Sequence, residues 1–150
     1  MIDTKDLRLQ NLIEYKGKTC EVRRIHAYSI VATVFATNVI YGSNLPAHLI
    51  HGIPLTPEWL IKAGFVKRMQ NLSFDAPRYC IDNVLGETFY LRPCSIGGFF
   101  WGFYRFIDDK ENKNELFDVQ AIKSVHALQN FYHSLSGTEL TFNSRENKEA

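Results

Sequence analysis

The run GGFFWGFYRFI, residues 97–107, restricts the possible fold more than any other part of the chain. Read as a strand, it sends Phe99, Trp101 and Phe103 to one side and Phe100, Tyr104 and Phe106 to the other, with a gap at Gly102 on the second side. Rings on both faces require cover on both faces. The strand is either the enclosed centre of a sheet, the ordinary fate of aromatic β residues, or a stacking platform where Gly102 admits a planar ligand to the backbone.

The neighbouring segments RYCIDNV, TFYLRP and FVKRM are strand-like as well, and so are LRLQNLIEY (7–15), KTCEVRRIH (18–26), SIVATVFAT (29–37) and AHLIHGI (47–53) nearer the start. Gly17 in YKGK provides the positive φ that a hairpin turn between the first two needs, and YGSNLP reads as a later turn. Between the two strand-rich regions, IPLTPEWLIKAGF (53–65) has full helix grammar. Thr56 is the N-cap, Pro57 the first helical residue and Gly64 the C′ residue, while Leu55 and Leu60 form a hydrophobic staple.

The polar run DDKENKN (108–114) reads as a solvated loop. Asp118 then caps a second helix running to Ser136, with Phe117 and Ile122 as its staple and Gly137 as its stop. TELTF (138–142) fits an edge strand and NSRENKEA (143–150) a frayed tail. Without a repeat, linker or composition break, the pattern is one α+β domain over residues 1–142, and 45% hydrophobic content in 150 residues suffices for one buried core.

Composition narrows the function classes. Seventeen basic against sixteen acidic residues, a net +1, lack the basic stripe of a duplex-binding protein. The longest apolar run, YSIVATVFATNVIYG, is shorter than the roughly 20 residues of a membrane-spanning helix. MIDTKDLRLQ has no basic start followed by an apolar stretch, so no secretory leader is expected and the cytosol is the expected location. Cys20, Cys80 and Cys94 are odd in number and widely spaced, which favours reduced thiols over disulfides or structural zinc.

On a helical wheel Val125, Leu128, Phe131, Tyr132 and Leu135 share the core side, and His126, Asn130 and His133 fall in a narrow arc opposite, beside Lys123. That row either lines a ligand groove or is a solvated face. Its histidines are spaced i, i+7, not the i, i+4 of helical metal sites, so no metal is expected. Arg92 and Arg105 flank the aromatic strand and suit phosphate. For nucleophilic chemistry Cys94 in RPCSIGG is the best candidate, with His126 or His133 as base and the glycine pair as oxyanion donors. Asp108, Asp109 and Glu111 read as solvated charge, and phosphate-loop, dinucleotide-binding, nucleophile-elbow and zinc-protease motifs are all missing.

Three blocks, DLRLQNLIEYKGKTCEVRRI, IPLTPEWLIKAGF and IKSVHALQNFYHSLSGTEL, together resemble a group of small proteins encoded by phages and prophages of Bacteroidetes-type bacteria. In that group the first block looks like an SH3-like β-hairpin unit, and the last is a V-H-x-L-Q-N-x-Y helix followed by G-x-E-L. Val125, His126, Leu128, Gln129, Asn130 and Tyr132, then Gly137, Glu139 and Leu140, match those positions here. The resemblance implies a mobile-element accessory protein in the host cytosol and brings no established activity.

The expected fold is therefore an SH3-like antiparallel β-unit, a short helix, an antiparallel meander and a C-terminal helix. The expected function is non-enzymatic: a cofactor-free protein that antagonises a host process by sequestering a small nucleotide-like signal. Phe99, Trp101 and Tyr104 would stack a base, Arg92, Arg105 and Lys123 would meet phosphate, and His126, Asn130 and His133 would read polar edges. A host-protein binder, a Cys/His hydrolase of such a signal and a nucleic-acid-binding module using Lys16, Lys18, Arg23 and Arg24 are the alternatives, and a homo-oligomer is compatible with each.

Overall fold

Lys16 and Gly17, with φ of 49° and 77°, make the two-residue turn that joins β1 (Leu12–Tyr15) to β2 (Lys18–Ile25). Positive φ at both central residues matches the right-handed twist of the flanking strands. The computed structural model describes residues 2–37, 39–68, 77–94, 97–107, 110–114 and 121–143, of which 42–43, 104–107 and 110–114 are described by their backbone alone. The sheet continues through β3 (Ser29–Val34) and β4 (Ile40–Pro46), then a 3₁₀ turn at Ala47–Leu49, and closes with β5 (Ile50–His51) against β1. The strand order β4-β3-β2-β1-β5, all antiparallel, is the SH3-like arrangement.

The second half begins with α1 (Pro57–Lys62). Thr56 is the N-cap residue with Pro57 at the first helical position, as its sequence grammar predicts, although the Thr56 side chain makes no capping hydrogen bond. At the other end Gly64 donates to the Ile61 carbonyl and Phe65 to the Leu60 carbonyl, both 3.0 Å, the paired bonds of a Schellman stop. Leu55, Leu60 and Phe65 are buried around it, so this six-residue helix persists through packing at both ends. Five antiparallel strands follow: β6 (Val66–Arg68), β7 (Arg78–Val84), β8 (Glu87–Pro93), β9 (Phe99–Ile107) and β10 (Lys110–Asn114), in the order β10-β9-β8-β7-β6. The second helix is α2 (Val125–Ser136). With two antiparallel sheets and two α-helices among the described residues, the fold class is α+β.

The chain divides into two compact units, Met1–Pro54 with Ser124–Phe131 and Leu55–Lys123 with Tyr132–Asn143. The first has an aliphatic core of Ile13, Val22, Ile30, Ala32 and Ile50. The second is built on rings, with Phe89 at 5.4 Å from Phe103, 6.1 Å from Phe65 and 6.3 Å from Tyr132 between centroids.

Several boundaries differ from expectation. The expected first strand starts five residues late, because Gln10 takes a φ of 72° and breaks the extension. YGSNLP is part of β4 and not a turn, since Ile40 and Leu45 find partners in Thr33 and Ile30. Most of the expected strand 47–53 is the 3₁₀ turn, which leaves only Ile50 and His51 paired. The expected solvated loop contains β10, the edge strand of its sheet, paired along Lys110–Asn114 with β9. Residues 138–142 are not a strand; Asn143 instead donates to the Lys62 carbonyl at 2.8 Å. The second helix starts at Val125, because Ile122 is extended and exchanges two 2.9 Å bonds with Phe99. Its expected cap Asp118 and staple residue Phe117 lie outside the described residues, as do 69–76 and the tail 144–150.

Candidate binding site

The residues singled out in the sequence fall in both units. Arg92, Phe99, Trp101, Tyr104, Arg105, Lys123 and His133 belong to the second, His126 and Asn130 to the first. Phe99 is only 4% exposed, against the Tyr79 ring, and Phe103 is 9% exposed. Trp101 is half-buried, edge-on to Phe103 at 6.1 Å. The gap at Gly102 is filled from the neighbouring strand. A Cβ there would stand 2.5 Å from the Tyr90 ring, so this glycine admits a tyrosine of its own sheet and no ligand. Arg92 stands over the Phe100 ring at 5.8 Å. Tyr104 and Arg105 are placed by backbone pairing alone, opposite Lys113 and Asn112 of β10.

The other candidates have structural work. Asn130 Oδ1 accepts from Arg8 Nη1 (3.1 Å) and Asn11 Nδ2 (3.0 Å), while its Nδ2 donates to the Asp6 carbonyl at 2.8 Å. Gln129, fully buried beside it, accepts from the Leu12 amide at 2.8 Å and donates to the Gln10 carbonyl at 3.1 Å. The two amides grip the backbone of residues 6–12 where Gln10 has broken the strand. Helical periodicity places neither role, because a buried glutamine bonded to distant backbone leaves no local pattern.

His126 packs on Gly52, where a Cβ would sit 3.1 Å from its Cε1. Burial holds its pKa below the ordinary histidine range, against a weaker upward pull from the Asp6 carboxylate. His133 is 3.9 Å from Glu139. Lys123 is exposed, and its carbonyl accepts from the Leu55 amide at 2.9 Å.

Cys94 and the glycine pair of the hydrolase alternative share one turn. Cys94 is a partly exposed free thiol in a turn closed by bonds between Cys94 and Gly98 and between Gly97 and Cys94. Gly98 has no Cβ because the Ile122 carbonyl would lie 2.6 Å from it, so it makes room for backbone rather than for a substrate. Asp108 and Asp109 lie outside the described residues. Among the described residues no three His, Cys, Asp or Glu side chains gather as a metal site, and no helix is long and apolar enough to cross a membrane.

A concavity lies in the first unit. Asp3 accepts from the Lys5 amide at 3.0 Å and so caps a 3₁₀ turn, Thr4–Asp6. Thr4 Oγ1 donates to the Ala27 carbonyl at 2.9 Å, which pins that turn to the β2–β3 connection, and the Ala47 amide donates to the Tyr28 carbonyl at 2.9 Å, which brings the 3₁₀ turn before β5 alongside. These three segments enclose a groove of about 760 Å³. Ile2, Ala27 and Ala47 are its apolar lining, and Asp3, Asp6 and His48 stand exposed around it with Lys5. Tyr28, 86% exposed, is the most open large side chain on its wall. The sequence reading missed this groove, because its only local signal is a tyrosine in a tight turn.

No family model matches the chain, and neither a curated protein nor a solved structure matches it.

Proposed function

We propose that this is a non-enzymatic binding protein of a mobile genetic element that acts by docking on a host protein through the groove of its SH3-like unit. The observation that carries the reading is the groove itself, walled by the open ring of Tyr28 and by two carboxylates, Asp3 and Asp6, against one lysine. Apolar lining with an aromatic wall suits an extended, proline-containing segment, which is ordered before it binds. The acidic surplus selects a segment with a basic residue. The phage and prophage resemblance supplies the biological setting. Phe99, one of the three residues expected to stack a base, is buried and Tyr90 occupies the gap at Gly102, which favours the groove over the aromatic strand as the docking surface.

The test is a titration of the isotope-labelled protein with a proline-rich peptide carrying one arginine, and with its arginine-to-alanine counterpart. Amide shifts should concentrate at residues 3–6, 27–28 and 47–48, and Tyr28→Ala should weaken binding about tenfold, roughly 1.4 kcal/mol, with the fold intact. Shifts elsewhere, or none from either peptide, would sink the reading.

A further inference from the structure

The opposite end of the same β-unit presents different chemistry. The Lys16 ammonium lies 5.4 Å from the Tyr15 ring centroid and the Lys18 ammonium 5.1 Å from that of Tyr41. The two rings meet edge-on at 5.5 Å. Val39 and Ile40, 63% and 65% exposed, lead directly into Tyr41. Lysine stems often cover tyrosine rings only to keep water off them. Two features go beyond that.

First, neither ammonium has a carboxylate partner among the described residues. Glu14 points to the other face of β1, and Glu21 is engaged by Arg23 at 3.3 Å. Two like charges are thus held on one tight turn with no carboxylate partner among the described residues. Second, Lys16 occupies a left-handed position, φ 49°, where asparagine, aspartate or glycine is favoured and a long side chain is not. A disfavoured backbone position given to a cation points to a use for that cation.

We propose that this end of the first unit binds the phosphate of a nucleotide, with its oxygens between Lys16 and Lys18 and its base against Tyr41 and the Val39–Ile40 surface. Ammonium groups beside aromatic rings are the recurring elements of sequence-tolerant nucleotide contact. The ligand is a free nucleotide or a single strand, since both offer the same phosphate and base. A net charge of only +1 gives a duplex no overall electrostatic attraction. The proposal stands apart from the groove, on different residues.

The experiment follows fluorescence anisotropy of labelled oligothymidylate about ten nucleotides long, with AMP and inorganic phosphate as competitors. Wild type should bind. Lys16→Ala with Lys18→Ala should bind about tenfold more weakly, and between about 50 and 200 mM salt wild-type affinity should fall about threefold, the slope of one phosphate on a single strand. Lys16→Asn is the decisive single variant: it should raise the melting temperature by relieving the turn and still weaken binding, a pair of effects no packing role produces. Competition by AMP at concentrations comparable with the strand would assign the site to free nucleotides; strand binding alone would assign it to single strands. Undiminished binding by Lys16→Glu with Lys18→Glu, or no binding of either nucleotide probe, would overturn the proposal. Peptide titration of the same variants should leave the groove unaffected.

Discussion

The two units solve one problem, packing a five-stranded antiparallel sheet, with different materials. The first packs aliphatic side chains and tethers residues 6–12 by side-chain amides of α2; the second packs rings around Phe89. Ring packing is non-directional and tolerates irregular spacing, so its cost on mutation scales with lost volume. Amide tethers fix a register, and their cost on mutation is that of stranded polar groups. The difference predicts which substitutions each unit tolerates.

The largest effect should come from Phe89→Ala, which removes the ring common to three aromatic contacts. A loss of about 3–5 kcal/mol is expected in the second unit. Trp59 and Trp101 both belong to that unit, so denaturant titration followed by tryptophan fluorescence reads it directly. Retention of wild-type stability would mean that the rings are not the framework.

Gln129→Ala should come next, at about 1–3 kcal/mol, because the Leu12 amide and the Gln10 carbonyl lose their partner. Amide exchange at Leu12 should accelerate sharply while tryptophan fluorescence unfolding moves little. Equal loss in both readouts would erase the distinction between the units.

The smallest effect is that of pH on His126. Burial lowers its folded pKa beneath that of the unfolded chain, which is about 6.5, so protons favour the unfolded state. The stability it contributes is complete above about pH 6.5 and is lost as pH falls below that toward the lower folded value. Exchange in β1 measured about one pH unit either side of 6.5 should show the loss, and His126→Leu should abolish it.

Much of this architecture was readable in advance. The α1 grammar of Thr56, Pro57 and Gly64, the strands RYCIDNV and TFYLRP, and the hairpin at Gly17 all follow from local pattern. What escaped was settled by distant partners. Lys110–Asn114 looks like a loop because nothing in its own sequence announces that β9 needs an edge strand. Ile122 looks helical because its pairing with Phe99 is 23 residues away in the chain. Asn130 looks like a ligand reader because its true partners, Asp6, Arg8 and Asn11, lie at the other end of the sequence. Tyr28 and Tyr41 were missed for the opposite reason: each gains meaning only from turns that the fold assembles around it.

The tether on β1 also sets an order on synthesis. The Leu12 amide and its acceptor Gln129 are 117 residues apart, so at about 5–20 residues per second the acceptor is made roughly 6–23 s after the donor. Throughout that interval the Asp6 and Gln10 carbonyls and the Leu12 amide of a nascent chain lack their α2 partners, while the strands of both sheets are already being laid down. The SH3-like unit, first to be translated, is thus among the last parts to mature, and a ribosome stalled before residue 129 would display it unfinished.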